Sequence, residues 1–297
     1  MRVNTSPTLP EGLREISLGG SGLRGWQVDT PLCRALVSAQ GGQLLAFQAR
    51  GREPLLWLSP AALLVPGKAI RGGIPLCFPW FGPHPADARL PAHGFARLRE
   101  WRLALARVAP DALYLELALE ADAATRDLWP HDFHAVLRLG LGNSLSLQLE
   151  VTNTGNAPFS FSFAFHSYFP LVDSCRARVE GLEGSSGINQ LDHARRRRRQ
   201  QGPVRFDGET DRIFTGVSAD CRLQDEARDS AVRLNASDCR SVIVWNPGPE
   251  KTAGLADMPA AGWKGMACVE SGNVEEDAIS LPPGAARTFS LTLTQEP

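Results

Sequence analysis

The sequence predicts an all-β protein. Three observations carry this: period-two alternation of apolar and polar residues in several stretches, turn residues between them, and no long amphipathic helical repeat. Leucines occupy positions 113, 115, 117 and 119, with Tyr114, Glu116 and Glu120 in the other phase. Leu145, Leu147, Leu149 and Val151 alternate with Ser144, Ser146, Gln148 and Glu150, and Phe289, Leu291 and Leu293 alternate with Ser290, Thr292 and Thr294. One apolar and one polar face per strand is the pattern of antiparallel sheets.

The other elements follow from local chemistry. Residues 1–25 read as an extended arm or edge strands. Gln27 to Arg50 predicts a hairpin that turns at Gly41-Gly42, and Leu55 to Leu58 predicts a further short strand. Ala123 to Leu128 predicts a helical turn stopped by Pro130. Residues 173 to 203 predict a connection with short strands. Within it Arg195 to Arg199 form a solvated loop rather than a nucleic-acid patch, because no aromatic residues interleave with the arginines. Val242 to Trp245 is a short strand ending at the turn Asn246-Pro247-Gly248, and Ala267 to Glu270 places a carboxylate at a strand end. No low-complexity linker or internal repeat divides the chain, so a single domain over residues 1–297 is expected.

Composition narrows the function classes. The 297 residues carry a net charge of -1, which argues against a global nucleic-acid or membrane-surface role. Hydrophobic residues make up 43% and charged residues 21%, ample for a core. There is no long apolar run for a membrane helix and no apolar stretch typical of a secretory signal near the N-terminus, so a cytoplasmic protein is expected. The 6 cysteines are scattered singly without a C-x-x-C pair, which predicts packing roles rather than a zinc or redox site.

One segment breaks the β pattern. Arg71 to Trp101 reads RGGIPLCFPWFGPHPADARLPAHGFARLREW. It is too long and too rich in Pro and Gly for a hairpin turn, and such loops in compact domains tend to be functional. Arg71 precedes Gly72-Gly73, and Arg97 closes the run His93-Gly94-Phe95-Ala96-Arg97. Glycine beside arginine lets backbone approach a ligand while the guanidinium reaches for it, and two such forks suit a phosphate. Trp80 in this loop could stack on a ligand or pack the loop. Further on, Phe159, Phe161, Phe163 and Phe165 form one phase, while Ser160, Ser162, Ala164 and His166 form the other. His166 therefore points away from the phenylalanines, at the polar end of a strand. Residue types thus nominate Arg71 and Arg97 for an anion, with His93, His166, Asp211 and Glu270 as titratable candidates. Spacing alone does not bring them together. His131 and His134 are three apart, which on a strand points them to opposite faces, and His84 and His193 are expected to be structural or surface residues.

The pattern R-G-G-I-P-x-C-F-P-W-F-G-P followed by L-P-A-H-G-F-A-R-x-x-x-W resembles the hexose-6-phosphate mutarotases (glucose-6-phosphate 1-epimerases), a branch of the aldose 1-epimerase family. The resemblance runs from about Arg71 to Glu270. It implies a large antiparallel β-supersandwich of the galactose mutarotase type, with the sugar site on the concave face. By motif, His93 of HGFAR and His166 of FHSYF match the family's two histidines, Asp211 of ETDRIF its substrate-binding aspartate, and Glu270 of CVESGNV its catalytic glutamate. Arg71 and Arg97 match the phosphate-binding pair of the 6-phosphate branch. Ser167 and Ser271 stand at positions that vary between relatives, and the arginine run departs from the pattern.

The chemistry so implied needs no cofactor and no metal. A base removes the C1 hydroxyl proton while an acid protonates the ring oxygen, and the same pair works in reverse on ring closure. Glu270 is expected as base and His166 as acid, with His93 holding a sugar oxygen and Asp211 a hydroxyl. Asp211 is also expected to favour the protonated imidazole. A small-molecule substrate, no nucleic-acid or membrane partner, and a monomer are the accompanying expectations. The rivals are a mutarotase of unphosphorylated aldoses, a non-catalytic sugar-phosphate-binding protein, and a metallohydrolase holding zinc on His93, His166 and Glu270.

Overall fold

A computed structural model describes residues 9–84 and 86–296. Alternation in the sequence becomes antiparallel sheet, as expected. A meander of four strands comes first: Leu13–Leu18, Leu23–Asp29, Cys33–Ser38 and Leu44–Ala49. The single hairpin expected over Gln27–Arg50 is thus two, because Thr30 turns the chain early. Its hydroxyl accepts the backbone N–H groups of Leu32 and Cys33 at 3.2 Å each. Leu55–Leu58 contributes only an isolated bridge, Leu58 to Gly72. Of the expected N-terminal arm, residues 1–8 lie outside the described residues.

Two large sheets form the body. The first has nine strands and holds the long alternating stretches: Ala112–Glu120, Phe133–Gly142, Leu145–Asn153 and Ala286–Glu296 lie side by side in it. The second has eight, including Leu76–Cys77, Phe163–Phe165, Tyr168–Pro170, Thr210–Phe214, Ser241–Asn246 and Met266–Asn273. The apolar faces of the two meet in one core, where Phe163 of one sheet lies 4.3 Å from Phe289 of the other between ring centroids. The helical turn Ala123–Leu128 is present and carries a reciprocal capping box between Asp122 and Thr125.

The phenylalanine stretch splits into Phe159–Phe161, paired with Ile279–Leu281, and Phe163–Phe165, paired with Met266–Asn273. All four rings are buried, as the alternation requires. The arginine run is not wholly a loop. Arg197–Arg199 forms an edge strand of the eight-stranded sheet, and its side chains are exposed. Charged side chains on an edge strand disfavour pairing with another chain, which accounts for arginines in a strand of low intrinsic β preference.

The Arg71–Trp101 segment is irregular, as predicted, and is held by close backbone contacts. His93 and Gly94 both lie in the left-handed region, at φ 63 and 73. A Cβ on Gly94 would come 2.0 Å from the Phe78 carbonyl oxygen, so only glycine fits. The neighbouring His93 N–H donates to the Gly82 carbonyl at 2.7 Å and so fixes where the imidazole starts. Gly94→Ala is expected to destabilise the protein by on the order of 3 kcal/mol, from backbone strain and overpacking together. Urea unfolding measures it, and a change below about 0.5 kcal/mol would show that the loop relaxes freely.

Candidate active site

Strand register places the candidate residues. In the eight-stranded sheet Asp211 lies beside Trp245, Trp245 beside Cys268, and Cys268 beside Tyr168. The adjacent row runs from Ile213 through Ile243 to Glu270. Side chains on neighbouring strands in register share a face, so Asp211 and Glu270 stand on the same side. The opposite side, with Val242, Val244, Val269, Phe163 and Phe165, goes into the main core. A small apolar layer of Cys77, Ala164, Ile213 and Ile243 lies on the site's side of the sheet.

His166 follows Phe163–Phe165 and takes the face opposite the phenylalanines, as the alternation predicted. It is nevertheless buried, at 7% exposure, and Glu270 is at 1%. Their Nδ1 and Oε1 atoms are 3.4 Å apart. The His166 ring stacks on Tyr168 at 4.7 Å with planes 6° apart, and Trp57 also stacks on Tyr168, at 5.9 Å. Trp245 meets His166 edge-on at 6.1 Å, and His93 lies 5.8 Å from it. Sequence reasoning did not single out Tyr168, Trp57 or Trp245. Tyr168 shares parity with His166, which was a usable signal; Trp57 carried none.

His93 is oriented from both sides. Its Nδ1 accepts the Gly82 N–H at 3.3 Å and lies 3.4 Å from the Cys77 sulfur. The neutral ring then carries its proton on Nε2. Phe81 packs edge-on against it at 4.8 Å. Trp80 belongs to the loop's own packing: its Nε1–H donates to the Pro91 carbonyl at 2.9 Å, and its ring meets His84 and Phe95.

Both arginines reach this centre. Arg71 Nε donates to Asp257 Oδ1 at 2.8 Å, and its Nη1 lies 3.5 Å from the Tyr168 hydroxyl. Arg97 Nη2 donates to the Ala92 carbonyl at 2.8 Å. Its buried Nε has no hydrogen-bond partner among the described residues, nor have His166 Nδ1 and Glu270 Oε2. Each unpaired buried polar atom costs on the order of 1–3 kcal/mol, and such atoms gathered at one place mark where a ligand's bonds are made.

Burial drives the titratable groups towards their uncharged forms. It holds the His166 imidazole well below the usual histidine range, with the charges of His93, Arg97 and Arg71 adding to the effect. His93 is pushed down to about 3 by burial, then by Arg97 and Arg71. The Glu270 carboxyl is pushed well above the usual glutamate range by burial and then by Asp211, against the opposing pull of Arg97. Asp211 is itself pushed up to about 6 by burial. Asp211 acts on Glu270, which shares its sheet face, and adds to the upward push on that carboxyl. Among the described residues no group of three or more His, Cys, Asp or Glu side chains is spaced to hold a metal ion.

A raised carboxyl means that the folded protein binds the Glu270 proton more tightly than the unfolded chain does. The stability linked to this proton is fully present below the usual glutamate value and is lost as pH rises through the folded-state value. Glu270→Gln has no such proton to lose. Its unfolding midpoint relative to the wild type is expected to shift in the variant's favour as pH rises from about 4 to about 8. A difference that does not change with pH would contradict the burial of an ionisable carboxyl here.

The comparisons with known proteins agree with this architecture. The model of the aldose 1-epimerase family matches residues 26–294. A curated relative from Salmonella typhimurium, named "Putative glucose-6-phosphate 1-epimerase", is 34% identical over 244 residues, which span 82% of this chain and 81% of the relative. A relative of the same name from Cenchrus ciliaris is 32% identical, covering 97% of this chain and 86% of its own length. A crystal structure of a mutarotase from Salmonella typhimurium, described as putative, superposes with a TM-score of 0.90 at 30% identity, over 97% of this chain and 95% of the other. With a buried glutamate on its eight-stranded sheet, two histidines brought beside it by the adjoining loops, and the family's pattern running through almost its whole length, the chain belongs to the aldose 1-epimerase family.

Proposed function

We propose that the protein interconverts the α and β anomers of a hexose 6-phosphate, glucose 6-phosphate first among them, by general acid and base catalysis. One observation carries the proposal. A buried carboxyl and imidazole lie 3.4 Å apart with unspent hydrogen-bonding atoms, beside two arginines of which one has a buried donor free. The names of the curated relatives support the same substrate class.

Glu270 as carboxylate takes the proton from the C1 hydroxyl. The C1–O bond becomes a carbonyl, the C1–O5 bond breaks, and His166 as imidazolium delivers its proton to O5. Rotation about C1–C2 exposes the other face of the aldehyde. O5 then returns its proton to His166 and attacks C1, while O1 takes the proton back from Glu270. Nothing is oxidised, and both residues end as they began. His93, with its proton on Nε2, donates to a sugar oxygen, and Asp211 accepts from a hydroxyl. Arg71 and Arg97 hold the 6-phosphate.

Burial favours neutral Glu270 and neutral His166, whereas this step starts from the ion pair. Moving one proton from the carboxyl to the imidazole leaves the number of bound protons unchanged, and the opposite charges it creates 3.4 Å apart stabilise each other. A sugar without the phosphate forgoes the contacts with Arg71 and Arg97 and is expected to bind more weakly.

Exchange spectroscopy on the anomeric protons of glucose 6-phosphate, with glucose as control, tests the proposal. Arg71→Ala and Arg97→Ala are each expected to raise KM for glucose 6-phosphate about tenfold or more. Glu270→Gln is expected to lower kcat by about 10²–10⁴-fold. Exchange at the uncatalysed rate for both sugars would leave a sugar-phosphate-binding protein as the function. Equal exchange of the two sugars, unaffected by the arginine variants, would leave a mutarotase of unphosphorylated aldoses.

A further inference from the structure

We propose that Asp257 is the positioning residue of the phosphate site, holding the Arg71 guanidinium so that its two terminal nitrogens face the ligand; this rests on the assignment of Arg71 to the phosphate. Asp257 lies between the short helix Gly248–Ala253 and the strand Met266–Asn273, far from Arg71 in sequence and outside every motif noted above. Its Oδ1 accepts from Arg71 Nε at 2.8 Å, and the side chains of the pair are only 18% and 21% exposed. A carboxylate facing an arginine end-on takes both terminal nitrogens in a fork. Here it takes the Nε edge, and Nη1 is left near the Tyr168 hydroxyl at 3.5 Å.

The surrounding bonds show that both ends of this contact are held. The Ser59 hydroxyl donates to the Asp257 carbonyl at 2.6 Å, while the Ser59 N–H donates to the Arg71 carbonyl at 3.1 Å, so one residue ties the two backbones together. The fully buried Gln43 amide donates to the carbonyls on either side of Arg71, Ile70 at 3.1 Å and Gly72 at 2.7 Å. Met258, next to Asp257, is buried against Tyr168, Met266 and Cys268. The backbone of Arg71 is thus clamped by Gln43 and Ser59, and its long side chain is clamped by Asp257. A free arginine side chain would have to be ordered at each binding event.

The test compares Asp257→Ala with Asp257→Asn, using glucose 6-phosphate and glucose as probes and Arg71→Ala as reference. Asparagine keeps an acceptor oxygen for Nε–H, whereas alanine does not. The Ala variant is expected to raise KM for glucose 6-phosphate about tenfold with kcat lowered less than about threefold, and the Asn variant to recover most of the loss. A KM that is unchanged or lower in the Ala variant, while Arg71→Ala raises it, overturns the inference and makes Asp257 a bystander or a competitor of the phosphate. An Asn variant no better than Ala also overturns it, because charge rather than geometry would then be at work. Equal losses on both sugars would indicate a general packing role and likewise overturn it. If Arg71→Ala itself leaves KM unchanged, the phosphate assignment fails and this inference falls with it.

Discussion

A carboxyl and an imidazole, 3.4 Å apart and almost wholly out of water, are the feature on which the rest of this structure depends. Charged, either group would be expensive to bury alone. Neutral, both sit unpaired against the sheet and cost stability without returning a hydrogen bond. The fold tolerates this because the strand that carries Glu270, Met266–Asn273, is buried along its whole length and flanked by strands on either side. Val269 on this strand and Phe163 and Val242 on the flanking strands belong to a core shared with the nine-stranded sheet. Packing on one face thus supports an unfavourable electrostatic arrangement on the other.

The arginines change meaning in this setting. Arg71 and Arg97 oppose protonation of both histidines, and Arg97 also favours the Glu270 carboxylate. Their charge therefore discourages a proton on the imidazoles and on the carboxyl alike. Arg71 is held by Asp257, while Arg97 has a buried donor with no partner among the described residues. In the proposed function one fork is oriented in advance and the other is completed by the phosphate.

The long loop performs two tasks that a strand could not. At His93 and Gly94 it takes left-handed backbone, which brings the chain within reach of Phe78 and turns the imidazole towards His166. Along Phe78 to Phe95 it also closes the end of the core, with Trp80 and Phe95 edge to face. Placement of His93 and closure of the core are thus coupled in one segment that contains almost no regular structure.

Much of this was legible in one dimension. Period-two alternation determined the sheets and which face of each strand is buried, because side chains on a strand can only alternate; the phenylalanine stretch even placed His166 on the face away from the core. The Gly- and Pro-rich loop announced itself by residue chemistry, and the run HGFAR carried its own constraint in Gly94. Local pattern was less reliable at Thr30, where a side-chain hydroxyl made an extra turn, and at Arg197–Arg199, where an edge position outweighed propensity. What only the tertiary structure decided is which distant residues meet. Strand register brings Asp211, Glu270 and Tyr168 to one face, with His166 in the link just before Tyr168, and Asp257 reaches Arg71 across a separation of 186 residues. Register and loop closure arise from packing summed over the whole core, and no short window of sequence contains that sum. The same holds for the pKa shifts, since burial belongs to the folded molecule and not to any residue type.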